Sequence, residues 1–219
     1  LPDALEQGFK RHPKTSAVEP TLTNAVLALS VGSPVAQIRF DTFLHQAFLK
    51  LPGRPKWEPF SDEAVSKVRL SIEAKYGFDV GHTETSRAMS MAACDNTFDS
   101  LAEHAKQLKW DGVKRVEGFA KNFLKAAPSA YASALSWYMW VALAARAICP
   151  GVKADMSPIF ISPKQGTGKS SMVMRLALAP DHATALGISE LGTDNASRRM
   201  LGKTVVEFAE FKGHASRDD

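Results

Sequence analysis

Apolar residues recur at helical spacing through much of the first 127 residues. The clearest example is "EAVSKVRLSIEAKYG", which Ser61 and Asp62 precede as capping residues and Gly77 closes. "IRFDTFLHQAFLKLPGRPKW" mixes apolar and basic residues before a turn rich in Pro and Gly. We predict a linker or flexible start at residues 1–20 and a mostly helical region at residues 21–127. Its further helices are predicted at residues 22–29, 83–94 and 99–108.

The longest apolar run is "AYASALSWYMWVALAARAIC" at residues 130–149, nearly long enough to span a bilayer. Ser136, Trp137 and Tyr138 lie in its middle and Arg146 lies near its end. Membrane spans place such aromatic residues at their ends instead. We therefore predict a helix buried in a protein core and no association with a membrane.

A glycine-rich loop follows this helix in "IFISPKQGTGKSSMVMRLALAP". A short apolar strand is predicted at residues 156–161 and a helix at residues 169–179, the context in which Gly-x-Gly-Lys-Ser indicates a phosphate-binding loop. The loop's N–H groups and the helix N-terminus would face the phosphates of ATP, with Lys169 on the β- and γ-phosphates and Ser170 on Mg²⁺. The predicted nucleotide-binding residues are Gly166, Thr167, Gly168, Lys169, Ser170 and Ser171.

Pro163 stands where the full Gly-x-x-x-x-Gly-Lys-Ser/Thr pattern has its first glycine. Proline fixes φ and has no N–H group, so the chain must enter the loop by a different turn. The donors that matter most come later, and we expect weakened or reshaped binding of phosphate. The alternative is a solvated Gly-Lys turn between a strand and a helix.

A second strand is predicted at residues 204–208, after a capped helix and the stop at Gly202. It delivers Glu207 and then Glu210. A P-loop ATPase needs one carboxylate near Mg²⁺ and one to orient or deprotonate the attacking water. Lys169, Glu207 and Glu210 are thus the candidate catalytic residues, with Ser170 and Glu207 as candidate metal donors. The spacing leaves open which glutamate has which role, or whether both are simply exposed.

Composition is that of a soluble globular chain: 219 residues, 45% hydrophobic and 23% charged, with a formal net charge of +4. The two cysteines have no CxxC spacing, and no pair of histidines has metal-ligand spacing. No Gly-x-Ser-x-Gly elbow supports a hydrolase triad. No secretory signal opens the chain, and we expect a cytoplasmic protein.

Lysines and arginines crowd around Trp110 in "LKWDGVKRVEGFAKNFLK". Cations beside an aromatic ring suit the phosphates and bases of a single strand. The nucleic-acid candidates are Lys109, Trp110, Lys114 and Arg115. The alternative is a helix with a solvated basic face and a structural Trp-Asp-Gly turn.

Four segments in one order, "LKWDGVKR", "CPGVKAD", "PKQGTGKSS" and "LGKTVVEFAEF", resemble the virulence-associated protein E family from about Thr21 onward. The resemblance implies a P-loop ATPase related to superfamily III helicases, active in replicating the DNA of phages, plasmids and genomic islands. It also implies a ring-shaped homo-oligomer, single-stranded DNA as the partner and an associated primase domain. Where family members show Gly-Pro-Gln-Gly, this chain has Pro163, Lys164, Gln165 and Gly166.

The predicted fold is an α/β P-loop NTPase core, incomplete in this chain, at residues 128–219, preceded by the mostly helical region. Because the sequence stops at Asp219, soon after the acidic strand, we expect a fragment with low ATP turnover. The leading hypothesis is the ATPase module of a primase-helicase. A nucleotide-gated DNA-binding or initiation module without significant turnover is the second hypothesis, and a small-molecule kinase is a weaker third.

Overall fold

The computed structural model describes residues 8–30 and 32–208 of the chain. The chain divides into two compact units, Leu1–Ser100 and Leu101–Asp219. Each unit is built around its own helices and its own small sheet.

Three helices of unit 1 lie where the apolar spacing predicts them: α1 (Leu22–Ala28), α2 (Asp62–Tyr76) and α3 (His82–Asp95). The Ser61 hydroxyl accepts a hydrogen bond from the Ala64 N–H at 3.1 Å and so caps α2. Gly77 ends the helix with φ at 74°, a conformation that glycine adopts without strain. The next helix, α4 (Ser100–Gln107), matches the prediction at residues 99–108, and all of it after Ser100 belongs to unit 2.

Unit 1 also contains a four-stranded sheet, so it is less helical than the sequence predicts. Its strands are β1 (Gln37–Asp41), β2 (Gln46–Lys50), β3 (Glu58–Pro59) and β4 (Thr97–Phe98). They lie in the order β3-β2-β1-β4, with β1 antiparallel to β2 and parallel to β4. The β1-β2 hairpin occupies the segment in which apolar and basic residues mix: Ile38, Phe40 and Leu49 face the core, whereas Arg39, Phe48 and Lys50 lie on the other face.

The core of unit 1 lies between one face of the sheet and the helices. Ile38 of β1 and Leu49 of β2 are paired across the hairpin and are 4% and 1% exposed. They belong to one buried cluster with Val68 and Ile72 of α2 and Met89 of α3. Burial of these side chains is the main stabilising contribution to unit 1.

Residues 9–19 differ from the predicted linker because they pack against α1 and α2. Lys10 donates its N–H to Asn24 Oδ1 at 2.9 Å, and Asn24 Nδ2 donates to the carbonyls of Lys10 and Glu19 at 2.8 and 2.9 Å. Phe9 is 6% exposed and meets the ring of Tyr76 edge-on at 5.0 Å. A buried amide and a buried ring together hold this segment to the core.

An ion pair joins α2 to the turn before α3. Arg69 Nε donates to Asp79 Oδ1 at 2.6 Å, and Arg69 Nη2 donates to Oδ2 of the same carboxylate. The Gly81 N–H also donates to Asp79 Oδ1 at 2.8 Å. The hydrogen bond from Arg69, followed by that from Gly81, lowers the pKa of Asp79 from 3.8 to about 2.

Replacing Asp79 with asparagine should therefore remove a pH-dependent part of the stability of unit 1. Since the folded pKa of Asp79 lies below the unfolded value, its contribution is complete above pH about 4 and is lost as the pH falls toward about 2. Urea unfolding of the wild type and Asp79→Asn at several pH values checks this. The gap in unfolding free energy should narrow across that window, and a constant gap would contradict the assignment.

Unit 2 contains two packed helices, α5 (Phe119–Leu124) and α6 (Ala130–Ile148), followed by smaller elements. Ser136 Oγ on α6 accepts a hydrogen bond from the Ala120 N–H at 3.0 Å, and Phe119 meets Trp140 edge-on at 5.3 Å. This packing places residues 119–124 in unit 2, whereas the sequence predicts a division after residue 127. Within the described residues, no helix has both the length and the apolar character needed to cross a membrane.

The remaining elements of unit 2 surround a two-stranded parallel sheet. They are α7 (Lys169–Arg175), β5 (Ala183–Leu186), α8 (Asp194–Met200) and β6 (Val205–Phe208). α7 packs against β6, and α8 packs against β5. Helix α8 and strand β6 agree with the sequence prediction, with the Thr193 hydroxyl capping α8 and Gly202 following it at φ 68°.

Candidate functional site

The segment that enters the glycine-rich loop has no regular secondary structure, so the strand predicted at residues 156–161 is wrong. A strand needs a neighbour to satisfy its N–H and C=O groups. Here the Met156 N–H donates instead to the Tyr138 hydroxyl of α6 at 2.8 Å. Ile159 and Ile161 are 62% and 89% exposed, so their apolar side chains are not used in a strand core.

The loop begins at a turn built around Pro163. Ser162 Oγ donates to the Lys164 carbonyl at 3.2 Å and accepts from the Lys164 N–H at 3.4 Å. The serine side chain thus bridges the proline, which has no N–H of its own to contribute. This is the different entry turn that Pro163 requires.

Two glycines then place the loop backbone in the left-handed region. Gly166 has φ at 71° and Gly168 has φ at 81°, and Gly168 is also the N-cap of α7. A side chain at either position would be strained by the backbone conformation, although nothing lies within 4 Å of the missing Cβ. Glycine is therefore required at both positions by the backbone conformation and not by steric contact with a neighbouring residue.

The backbone N–H groups from Gln165 to Ser171 have no hydrogen-bond acceptor among the described residues. Most of this stretch is exposed to solvent. Successive N–H groups beside glycines with positive φ form the concave arrangement that binds anions in proteins. The arrangement suits an oxyanion with several oxygens, such as a phosphate chain.

Helix α7 carries the lysine and the hydroxyls of the motif. It begins at Lys169 as predicted but ends at Arg175, earlier than residue 179. Lys169 is half-buried, whereas Ser170 and Ser171 are exposed. No ion pair or hydrogen bond joins the Lys169 side chain to another described residue. Its charge is therefore not neutralised by a carboxylate in the described part of the chain.

The acidic strand lies beside this helix. Glu207 is half-buried on β6, against which α7 packs, and it is paired in register with Ala185 of β5. The fold thus brings the elements that carry Lys169 and Glu207 together. Glu210, the second predicted acid, lies outside the described residues. Strand β5 was not predicted, because its pairing with β6 depends on the tertiary structure and not on its own residues.

Two further charged residues, which the sequence analysis did not single out, tie α8 to the end of β5. Arg199 donates to Glu190 Oε2 and to the Ala185 carbonyl, both at 2.6 Å. Glu190 Oε1 accepts the Gly187 N–H at 2.8 Å. That backbone hydrogen bond, followed by the charge of Arg199, lowers the pKa of Glu190. Both side chains therefore stabilise the end of β5 through their hydrogen bonds. No spacing pattern in the sequence indicates this role.

The residues around Trp110 form the structural turn that the alternative includes, and the exposed Lys121 of the same basic segment lies on helix α5. Arg115 donates to both oxygens of Asp111 at 2.9 and 2.7 Å, which lowers the pKa of Asp111 to about 2. Trp110 is 75% exposed and donates its Nε1–H to the Val113 carbonyl at 3.4 Å. Arg115 is thus a structural residue of the turn, whereas the predicted contacts Lys109 and Lys114 are exposed.

The described residues contain no group of three or more His, Cys, Asp or Glu side chains that could hold a metal ion by themselves. A magnesium ion at this site would depend on phosphate oxygens as well as on protein donors. The Ser170 hydroxyl and the Glu207 carboxylate are hard oxygen donors of the kind that Mg²⁺ prefers. The donor set therefore fits an ion that arrives with a nucleotide.

Comparison with models of known protein families identifies a relationship for unit 2. The model of the virulence-associated protein E-like domain matches residues 105–219. The chain belongs to this family. The virulence-associated protein E-like domain covers nearly all of unit 2 and includes the loop, α7 and β6. The match begins at residue 105, and not near Thr21 as the sequence resemblance suggests. A search of curated proteins finds no match.

Proposed function

We propose that unit 2 is a P-loop module that binds ATP with Mg²⁺ and hydrolyses it as a helicase-type motor in the DNA replication of a phage, plasmid or other mobile element. The observation that carries the proposal is the run of N–H groups from Gln165 to Ser171, which have no acceptor in the described part of the chain. This run passes two glycines at positive φ and enters a helix beginning at Lys169. Family membership supports the mobile-element setting.

In this proposal, different residues of the loop contact different parts of the triphosphate. The N–H groups donate to phosphate oxygens, and Gly166 and Gly168 let the backbone curl toward them. Lys169 supplies a positive charge next to the β- and γ-phosphates. Ser171, the next exposed hydroxyl, and Thr167 lie on the rim of the same loop.

Pro163 is compatible with this role because it precedes the donors. The proline removes one N–H at the entrance, and the Ser162 side chain closes the turn there. The unpaired donors begin at Gln165, after that turn. We infer that the departure from the usual motif weakens phosphate binding without abolishing it.

Glu207 and Ser170 are the proposed protein donors toward Mg²⁺, which when bound with ATP neutralises charge on the phosphates. A carboxylate beside the phosphate loop also suits the general base that accepts a proton from the attacking water. Glu207 lies on the strand that packs against α7. The division of these roles between Glu207 and Glu210 stays open in the proposal.

Single-stranded DNA is the proposed partner, and a homo-oligomeric ring is the proposed assembly, with a primase domain on the same or a partner polypeptide. In unit 2 the exposed Trp110, Lys109 and Lys114 suit contacts with a strand, since their turn is already fixed by Asp111. A motor requires that DNA stimulate ATP turnover. Binding of ATP without that stimulation would favour the nucleotide-gated initiation module instead.

Titration of MgATP into the purified chain, with and without a single-stranded oligonucleotide, tests the proposal. Lys169→Ala should weaken MgATP binding about 10- to 150-fold, the range for a lost hydrogen bond to a charged group. Lys164→Ala is the matched control, because it removes the same charge from an exposed position of the same loop, before the unpaired donors. Calorimetry and a phosphate-release assay give binding and turnover.

Equal weakening by both variants would mean that only the general positive charge of the loop attracts the nucleotide. Absence of binding by the wild type would contradict the phosphate site. The expected pattern is near-normal binding by Lys164→Ala and severe loss in Lys169→Ala, with both variants showing wild-type circular dichroism.

A further inference from the structure

The sheet of unit 1 has a second face, opposite to the one that packs on the helices. Ile38 and Phe40 of β1 point into the core, so the alternate positions Gln37, Arg39 and Asp41 lie on the other face. Phe48 is paired directly opposite Arg39 across the hairpin. Phe48 and Arg39 are both half-buried and therefore reach solvent in part.

Arg39 is held between two aromatic rings on this face. Its guanidinium carbon lies 3.9 Å from the ring centroid of Trp57 and 3.9 Å from that of Phe98. Two rings that flank the planar group cover its faces and leave its edge for hydrogen bonding. The orientation of the guanidinium is thus set before any ligand arrives.

No carboxylate among the described residues neutralises Arg39. Its side chain makes no hydrogen bond or ion pair with another described residue, and its Nε is enclosed without an acceptor. The acid on the same face, Asp41, accepts instead from the N–H groups of Phe43, Leu44 and Ser100 at 3.0, 3.3 and 3.3 Å. A cation that lies between aromatic rings, on a face whose acid Asp41 is already hydrogen-bonded elsewhere, suits an external anion.

A cleft continues this face toward a second group of cations. Lys50 is paired opposite Gln37, and both line a cavity of about 240 Å³ together with Arg54. Arg54 is paired with Glu58 at 3.5 Å, whereas Lys50 has no ion pair with a described residue. The cleft therefore places another unpaired positive charge two strand positions from Arg39.

We propose that this face, the Arg39 surface formed by Gln37, Arg39, Phe48, Lys50, Trp57 and Phe98, binds single-stranded DNA. The edge of Arg39 and the amine of Lys50 contact phosphates, and the exposed parts of Phe48 and Trp57 stack on bases. Aromatic rings alternating with cations suit a strand whose bases are unpaired, because a duplex keeps its bases stacked inside. The inference takes DNA as the partner from the proposed function, but it needs neither the phosphate loop nor ATP.

Fluorescence anisotropy with a labelled thymidine oligonucleotide, measured at several salt concentrations on the full chain, tests the proposal. Arg39→Gln should weaken binding about tenfold and reduce the slope of log affinity against log salt by about 0.7, the value for one phosphate contact on a single strand. Arg39→Lys should keep the slope but not the full affinity, because it retains the charge and loses the planar group. The matched control is Arg87→Gln, on the exposed side of α3 across the sheet.

A second measurement uses the wild type, so it does not depend on how the variants fold. Irradiation with a bromodeoxyuridine oligonucleotide should cross-link the peptides that contain Phe48 or Trp57. Cross-links confined to residues 101–219, or equal competition by duplex DNA or polyglutamate, would overturn the proposal. MgATP binding should be unchanged in Arg39→Gln, so failure here leaves the phosphate loop untouched, and failure of Lys169→Ala leaves the Arg39 surface untouched.

Discussion

Gly168→Val is expected to weaken MgATP binding by about 5- to 150-fold while the chain remains folded. Gly168 has φ at 81°, and a β-branched residue in that region costs about 1–3 kcal/mol. Nothing lies within 4 Å of the added Cβ, so the penalty acts through the backbone and not through a clash. The loop relieves it by rotating out of the left-handed region, which turns the N–H groups away from a common anion. A loss of about 5- to 150-fold in affinity follows from that strain.

Gly192→Val provides the matched control for this prediction. Gly192 has φ at 82° and open space around its Cβ, so the substitution carries the same conformational cost. It lies before α8 and outside the loop. Both variants should lose a similar amount of unfolding free energy in a urea titration, and only Gly168→Val should show weakened MgATP binding by calorimetry. Normal nucleotide binding by Gly168→Val would mean that the positive φ is not required for the site.

The sequence predicts the loop well because its signal is local. Glycine at positions 166 and 168 indicates positive φ directly, and Lys169 follows at the start of a helix, as the structure has it. The strand before the loop is different. Its apolar residues at 156–161 match a strand pattern, but pairing depends on a neighbour that no local pattern specifies. The same limit explains why β5, which pairs with β6, was not predicted.

In unit 1, the sequence predicts helix α2 correctly but does not predict the β1-β2 hairpin. Capping residues and apolar spacing identify α2 because Ser61 and Gly77 act within a few residues of the helix. The β1-β2 hairpin is harder to see, since Arg39 and Phe48 make its outer face look neither clearly polar nor clearly apolar. Arg39 and Phe48 can be recognised as part of a candidate binding surface only in the folded sheet, which places Trp57 and Phe98 beside Arg39. The candidate DNA surface of unit 1 is therefore a product of tertiary structure.

Replacing Phe9 with alanine should lower the unfolding free energy of unit 1 by about 3–5 kcal/mol, the cost of removing a fully packed aromatic ring. Phe9 is 6% exposed and lies edge-on to Tyr76 at 5.0 Å and to Phe78 at 5.7 Å. The cavity would open between the N-terminal segment and the C-terminal end of α2. Phe123→Ala is the control. It is the same substitution, but the side chain that it removes is 59% exposed.

Hydrogen exchange is the suitable measurement for Phe9→Ala, since the two units need not unfold together. Amides of α2 and α3 report on unit 1 alone and should lose protection, while those of α6 should not. Phe123→Ala should leave α2 and α3 unchanged. The sequence predicts residues 1–20 as a linker because "LPDALEQGFKRHPKTSAVEP" is polar and punctuated by proline. Unchanged protection of the α2 and α3 amides in Phe9→Ala would support the prediction of a linker. Loss of their protection would show that a single buried ring makes this segment part of the core.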